Sequence, residues 1–241
     1  MNASPMPILS LGALLVCNLL ASNPSAGPRW DSLKIVQTIE PAFPAAMVQR
    51  GITQGEASLA INTGPDGRLV DLLVVSYSRP EFAEAAKSAV KQWTFEPARL
   101  DGEPVGTTVE IRFSFEAHGV IVSMSTVGDV LDAQLARIFR DGFSYQPCGA
   151  RTLDKLPAPV VSVTPRYSKE LAARGIKGRV RIEFYIDEDG NVRLPATTIT
   201  DDSMLTALAV EAIKQWKFSP PTSRGRAVLV RASQDFEFRE P

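Results

Sequence analysis

One histidine, two cysteines and a short acidic run are what this 241-residue chain offers toward covalent or metal chemistry. His118 sits beside Gly119 in "AHG", a turn, with no second histidine to share a metal and no nucleophile to complete a triad. Cys148 is the sole cysteine once an N-terminal segment carrying Cys17 is removed, which excludes an intrachain disulfide framework. It reads as a buried free thiol or as an intermolecular bridge. "DEDGN" (Asp187 to Asn191) looks like the opening of a calcium loop, yet the later ligands and the terminal Glu are missing. A hairpin turn at Asp189-Gly190 explains it instead. With no phosphate loop or dinucleotide fingerprint either, no metal, no cofactor and no catalytic residue are expected: the chain reads as a non-enzyme.

The charge balance narrows the partners. A net charge of −1 gives no electrostatic reason to bind nucleic acid, and a hydrophobic content of 44% describes a globular chain. The arginines Arg174, Arg179, Arg181, Arg224 and Arg226 alternate with acids, the pattern of a solvated face.

What stands out is a duplicated heptad. "KQWTFEP" begins at Lys91 and "KQWKFSP" at Lys214, 123 residues later, and they agree at five of seven positions. Walking backwards, Gly67 falls on Gly190 and Gly55 on Gly178 at the same offset; then Gly51 falls on Gly175, Phe43 on Tyr167 and Pro41 on Pro165 at 124. The match runs through most of each half, so a domain is repeated rather than a motif.

The elements follow from the second copy. In "RVRIEFYID", Val180, Ile182, Phe184 and Ile186 alternate with Arg179, Arg181, Glu183 and Tyr185, a strand covering a core on one side. A hairpin leads to a second strand, less regular in "RLVDLLVVS" of the first copy, where a bulge would account for the broken alternation. "DDSMLTALAVEAIKQW" carries a helical stripe of Leu205, Leu208, Ala209, Ala212, Ile213 and Trp216, capped by Asp202 or Ser203; Phe82, Ala85, Ala86, Ala89, Val90 and Trp93 form its twin. Trp93, Phe95 and Pro97, with Trp216, Phe218 and Pro220, then form a corner that locks the core and stops the helix. A last strand closes each unit, "TTVEIRFSFE" and "VLVRASQDFEF", the latter with Gln234 on its apolar face. "PAFPAAMVQRG" and "PRYSKELAARG" read as short leading helices ended by glycine. The fold class is α+β: two tandem small domains, each a three-stranded antiparallel sheet with two helices.

This order resembles the C-terminal domain of TonB, the protein that couples the inner membrane to outer-membrane transporters in Gram-negative bacteria. The resemblance is carried by Pro41, Phe43, Pro44, Gly51, Gly55, Gly67, Trp93, Phe95, Pro97, Ala98, Asp101, Gly102, Pro104 and Val105. The second copy keeps Pro165, Tyr167, Gly175, Gly178, Gly190, Trp216, Phe218 and Pro220, and departs at Ser168, at Pro221 and at "SRGRAV" in place of "dG-x-P-V". It covers residues 38–116 and 160–239, with a connector of strand and helix over 117–159. The family implies a periplasmic protein without cofactor that adds an extended segment of an outer-membrane TonB-dependent transporter, or of another envelope protein, to a sheet edge.

Three further expectations complete the reading. Residues 1–26 hold a 15-residue apolar run, too short for the roughly 20 residues that cross a bilayer, and read as a cleaved signal peptide. The alternative is a short inner-membrane anchor, and only then is the inner-membrane motor complex a partner. The second expectation concerns the edges. "VIVSMST" after Glu116 is expected either to fold back as a fourth strand on Thr107–Glu116, with "GDVLDAQLARIF" then crossing as an amphipathic helix, or to be a linker strand packed elsewhere. The sequence ends two residues beyond Arg239, so Val228–Phe238 is expected to stay uncovered, with Val228, Leu229, Val230, Arg231, Ala232 and Ser233 as the edge that binds peptide. A proline within Leu229–Arg231 should abolish pairing and one at Ile121 should not. The third is the competing function: a structural envelope module, without energy transduction, whose edges are used internally or in a homodimer.

Overall fold

A computed structural model describes residues 29–117, 119–126, 143–200 and 202–239. The signal or anchor over 1–26, His118 and the helix expected over 128–139 lie outside the described residues. Among those described, no helix is long and apolar enough to cross a membrane.

The first repeat runs α1 (Ala45–Gln49), β1 (Gln54–Thr63), β2 (Leu69–Tyr77), α2 (Pro80–Val90), β3 (Thr107–Glu116) and β4 (Gly119–Thr126). The second runs α3 (Lys169–Ala173), β5 (Gly178–Ile186), β6 (Val192–Thr200), α4 (Ser203–Ile213) and β7 (Val230–Phe238). The antiparallel sheets are ordered β2-β1-β3-β4 and β6-β5-β7. Gly55 faces Phe115 and Gly178 faces Phe238, so β1/β3 and β5/β7 pair in one register displaced by the repeat offset. Even the bulge recurs, after Ser58 in one copy and after Arg181 in the other.

Local chemistry sets these elements. Pro80 opens α2 where its missing N–H costs nothing. Asp202 accepts from the N–H groups of Met204 and Leu205 to start α4. Gly51 and Gly175 end α1 and α3 with φ of 70° and 67°. Each long helix lies on one face of its sheet. Phe82, Ala86 and Val90 pack on Leu59, Ile61, Ile111 and Phe113 in the first repeat, and Leu205, Ala209 and Ile213 on Ile182, Phe184 and Phe236 in the second.

The repeated heptad is a corner of this core. Trp93 Nε1 donates to the carbonyl of Ile39 at 2.9 Å and Trp216 Nε1 to that of Val163 at 2.8 Å, tying the extended lead-in of each repeat to its helix end. Those lead-ins also pair with the strand after the tryptophan: Lys34–Gln37 with Thr94–Glu96, and Pro159–Val161 with Lys217–Phe218. The hairpin glycine closes the corner. A Cβ on Gly67 would stand 2.4 Å from the Phe95 carbonyl oxygen, and one on Gly190 2.1 Å from that of Phe218.

The second copy's "SRGRAV" keeps the turn that its sequence hides. Asp101 and Gly102 have φ of 52° and 87°, and Arg224 and Gly225 have 52° and 72°, each pair linking two short strands. The N–H groups of Arg224 and Gly225 donate to Asp154 at 2.7 and 2.8 Å.

The sheet faces turned away from the helices are not simply solvated, as the alternation implied. Ala60, Leu73 and Val75 of the first repeat pack against Tyr185, Leu194 and Leu229 of the second, with Tyr145 beside them. Arg193 binds Asp71 across this seam through Nη2 and Nε, at 2.5 and 3.1 Å. The Tyr145 ring stacks on Tyr77 at 5.1 Å, its hydroxyl donates to Glu188, and its backbone bridges to the end of β2. Burial, followed by that hydrogen bond, pushes the Tyr145 phenol well above its ordinary value. The repeats are joined back to back.

Candidate peptide-binding edge

Which backbone groups face outward follows from a few bonds. In β1, the Glu56 N–H and carbonyl both turn to Ser78, on the β2 side, and the Ala117 N–H donates to Thr53. A strand alternates its polar groups between its two neighbours, so the odd-numbered residues of β3 bond β1. Its even-numbered residues face β4: Glu110 opposite Ser125, Arg112 opposite Ser123, Ser114 opposite Ile121. The first repeat's β3 is therefore paired on both sides.

The repeat offset is odd, so the parity inverts in β7. Its even-numbered residues bond β5, and Arg231, Ser233, Asp235 and Glu237 turn their N–H and carbonyl groups outward. Leu229, of the same outward parity, agrees: its carbonyl accepts the Cys148 N–H at 2.7 Å. Beyond that bond β7 has no strand on its outer side among the described residues.

The six residues expected as the edge divide accordingly. Val228 and Leu229 precede β7; the Val228 N–H donates to the Pro221 carbonyl, and Leu229 is fully buried in the seam. Val230 and Ala232 belong to β7 with their backbone turned to β5, while Arg231 and Ser233 face out. The outward ladder extends past the expected segment to Asp235 and Glu237. The sequence carries no sign that Leu229 is occupied, because the Cys148 contact comes from the connector, 81 residues earlier in the chain.

Charges flank the ladder in compensated pairs. Arg181 holds Asp235 through two bonds of 2.7 Å, Arg231 reaches Glu183 at 2.7 Å, and Arg239 pairs with Glu237. The Arg181 hydrogen bond holds the Asp235 carboxyl below its ordinary value. Gln234 is half-buried on the helix side, and its Nε2 donates to the Asp235 carbonyl at 2.8 Å. Among the described residues no cluster of His, Cys, Asp and Glu is suited to a metal.

A small α+β unit built twice, each with its sheet closed by a Trp-x-Phe-x-Pro corner, defines the class. The family described as Gram-negative bacterial TonB protein C-terminal matches residues 39–117 and 163–239, and the chain belongs to it. It is 34% identical over 99 residues to Protein TonB of Vibrio cholerae, a match covering 41% of this chain and 39% of that protein. To Protein TonB of Pseudomonas aeruginosa it is 30% identical over 119 residues, 49% of this chain and 33% of that protein. The chain thus spans well under half the length of these curated relatives. The solution NMR structure of the Pseudomonas aeruginosa TonB CTD aligns at 30% identity with a TM-score of 0.32, covering 36% of this chain and 89% of that one.

Proposed function

We propose that the chain is a periplasmic, TonB-like double module that binds an extended segment of an outer-membrane transporter or another envelope protein by adding it to β7. The observation that carries this reading is the asymmetry of the edges: β3 is capped by β4 from Val109 to Glu116, whereas the equivalent groups of β7 face outward with no strand beside them among the described residues. Each ladder bond contributes only about 1 kcal/mol net, and ordering the segment offsets part of it. Binding is modest and needs several consecutive pairs. No reacting group is called for, in keeping with a coupling or binding role rather than catalysis.

The test is a titration of labelled N-terminal transporter peptides onto the isotope-labelled chain, followed at the amides of Arg231, Ser233, Asp235 and Glu237. Ser233→Pro is the informative block, since it removes an outward N–H and leaves the β5 ladder its own donors. It should abolish the shifts while amide protection in β5 persists. Ile121→Pro, on β4, should leave them intact. Absence of shifts at millimolar peptide, or binding that survives Ser233→Pro, refutes the proposal.

The structural alternative applies to the first repeat by itself. Its β3 edge is consumed internally by β4, and β4 in turn carries exposed Ile121, Val122 and Met124. Solution mass of the purified chain separates a monomer from a dimer joined through β4.

A further inference from the structure

The first repeat displays what a strand added to the second repeat's edge would meet. Val120, Val122 and Met124 of β4 lie opposite Phe115, Phe113 and Ile111 of β3, on the face that covers the helix. Because β1/β3 and β5/β7 share one register, the β7 residues in those places are Phe238, Phe236 and Gln234. Both phenylalanines are retained and buried. Ile111, fully buried, is replaced by half-buried Gln234, and the next position, Val109, by half-buried Ala232.

We infer that Gln234 is the specificity-determining residue of the β7 edge, selecting an amide- or hydroxyl-bearing side chain opposite it while Phe236 and Phe238 receive aliphatic ones. The inference rests on the strand-addition reading above. Its physical basis is the parity of the ladder. Even-numbered β7 residues bond β5, so each forms a non-hydrogen-bonded pair with an added strand, the pair type in which facing side chains come closest. An aliphatic residue there would bury the Gln234 amide against carbon and leave it short of partners, whereas an amide or hydroxyl completes its bonding. Ala232 beside it removes the bulk that Val109 supplies in the first repeat and gives the incoming side chain room. The outer face adds little discrimination, because Arg181 with Asp235 and Arg231 with Glu183 are already paired. The ligand is thus an extended segment with two aliphatic residues at alternating positions, then a polar uncharged one, on a single face.

Peptides copied from β4 test this on the full chain. One carries the sequence of Gly119–Thr126, the other the same with Met124→Gln, both with terminal lysines for solubility. Amide shifts at Arg231, Ser233, Asp235 and Glu237 are expected with both, the Gln version binding about three- to tenfold more tightly, as a half-exposed amide with only its one bond to the Asp235 carbonyl implies. Gln234→Ile, which restores the first repeat's residue, should reverse that order. Equal affinities in the unaltered chain, or an order that Gln234→Ile leaves unchanged, overturns the role of Gln234 while strand addition stands. Shifts from neither peptide at millimolar concentration, or shifts confined to β4, overturn both.

Discussion

Gly190→Ala strikes the second repeat where hairpin and corner meet, and its cost can be worked from geometry. The residue has φ of +83°, where an L side chain costs about 1–2 kcal/mol. Its Cβ would also stand 2.1 Å from the Phe218 carbonyl oxygen and 3.0 Å from its carbon, main-chain atoms that cannot rotate aside. Relieving that overlap displaces the strand carrying the Phe218 N–H, which donates to the Gly190 carbonyl at 2.8 Å, a bond worth about 1 kcal/mol net. Together these give about 2–3 kcal/mol before the overlap itself is counted, a large share of the roughly 5–15 kcal/mol that holds a domain folded. Gly175→Ala is the control: φ is +67° but nothing lies within 4 Å of the added Cβ, so only the backbone term of about 1–2 kcal/mol applies. Urea titration followed by far-UV circular dichroism compares the two midpoints. If Gly190→Ala lowers the midpoint no more than Gly175→Ala does, the close approach to Phe218 is not what demands glycine, and the reasoning fails.

Trp216→Phe keeps an aromatic ring beside Phe236 but removes the indole donor to Val163; the loss should be about 1–2 kcal/mol, read as a shift in the urea midpoint. Arg193 and Asp71 should couple by about 1 kcal/mol in a double-mutant cycle to alanine, since the pair is bidentate and partly shielded in the seam; zero coupling would remove it as a tie between the repeats. Because Asp235 is held below its ordinary carboxyl value by Arg181, its stabilising contribution is present above about pH 4, the unfolded value, and is lost as pH falls through the lower folded value. The stability gap between the unaltered chain and Asp235→Asn should therefore be present at pH 7 and close in acid, and a gap independent of pH would count against the assignment.

Much of the fold was legible because local signals agreed. Helix caps, hairpin glycines and period-two strands all pointed to one unit, and the repeat supplied each signal twice. The seam between the repeats was not legible in the same way. Alternation in "RVRIEFYID" assigned Tyr185 to the polar face with Arg181 and Glu183, and tyrosine suits either environment. Its packing in the seam with Ala60, Leu73 and Val75, more than a hundred residues away, buries it. A trace did exist: "LLVVS" is apolar on both faces, which a strand exposed on one side has no reason to be. Likewise "SRGRAV" lost the family's acidic residue and yet kept the turn, because glycine and a tolerated positive φ, not the aspartate, make that bend.

The site illustrates a different limit. Sequence places residues on faces, but an edge is defined by what lies beside it, and that is a property of topology. The four-residue parity of β7 could be obtained only by carrying the Glu56–Ser78 and Ala117–Thr53 bonds across an odd offset and meeting the Cys148–Leu229 bond from the other side. The same step explains why duplication need not duplicate function. β3 and β7 share register, corner and core, so selection for a stable sheet constrains both alike. The outward groups answer to no such constraint: in one copy a continuing chain turned back and took them, and in the other Ala232 and Gln234 stand where Val109 and Ile111 complete a closed core. A polar residue retained on an apolar face is costly unless something meets it. On the proposed reading, that cost, met only in part by the bond from Gln234 to the Asp235 carbonyl, marks the β7 edge as one kept for a partner.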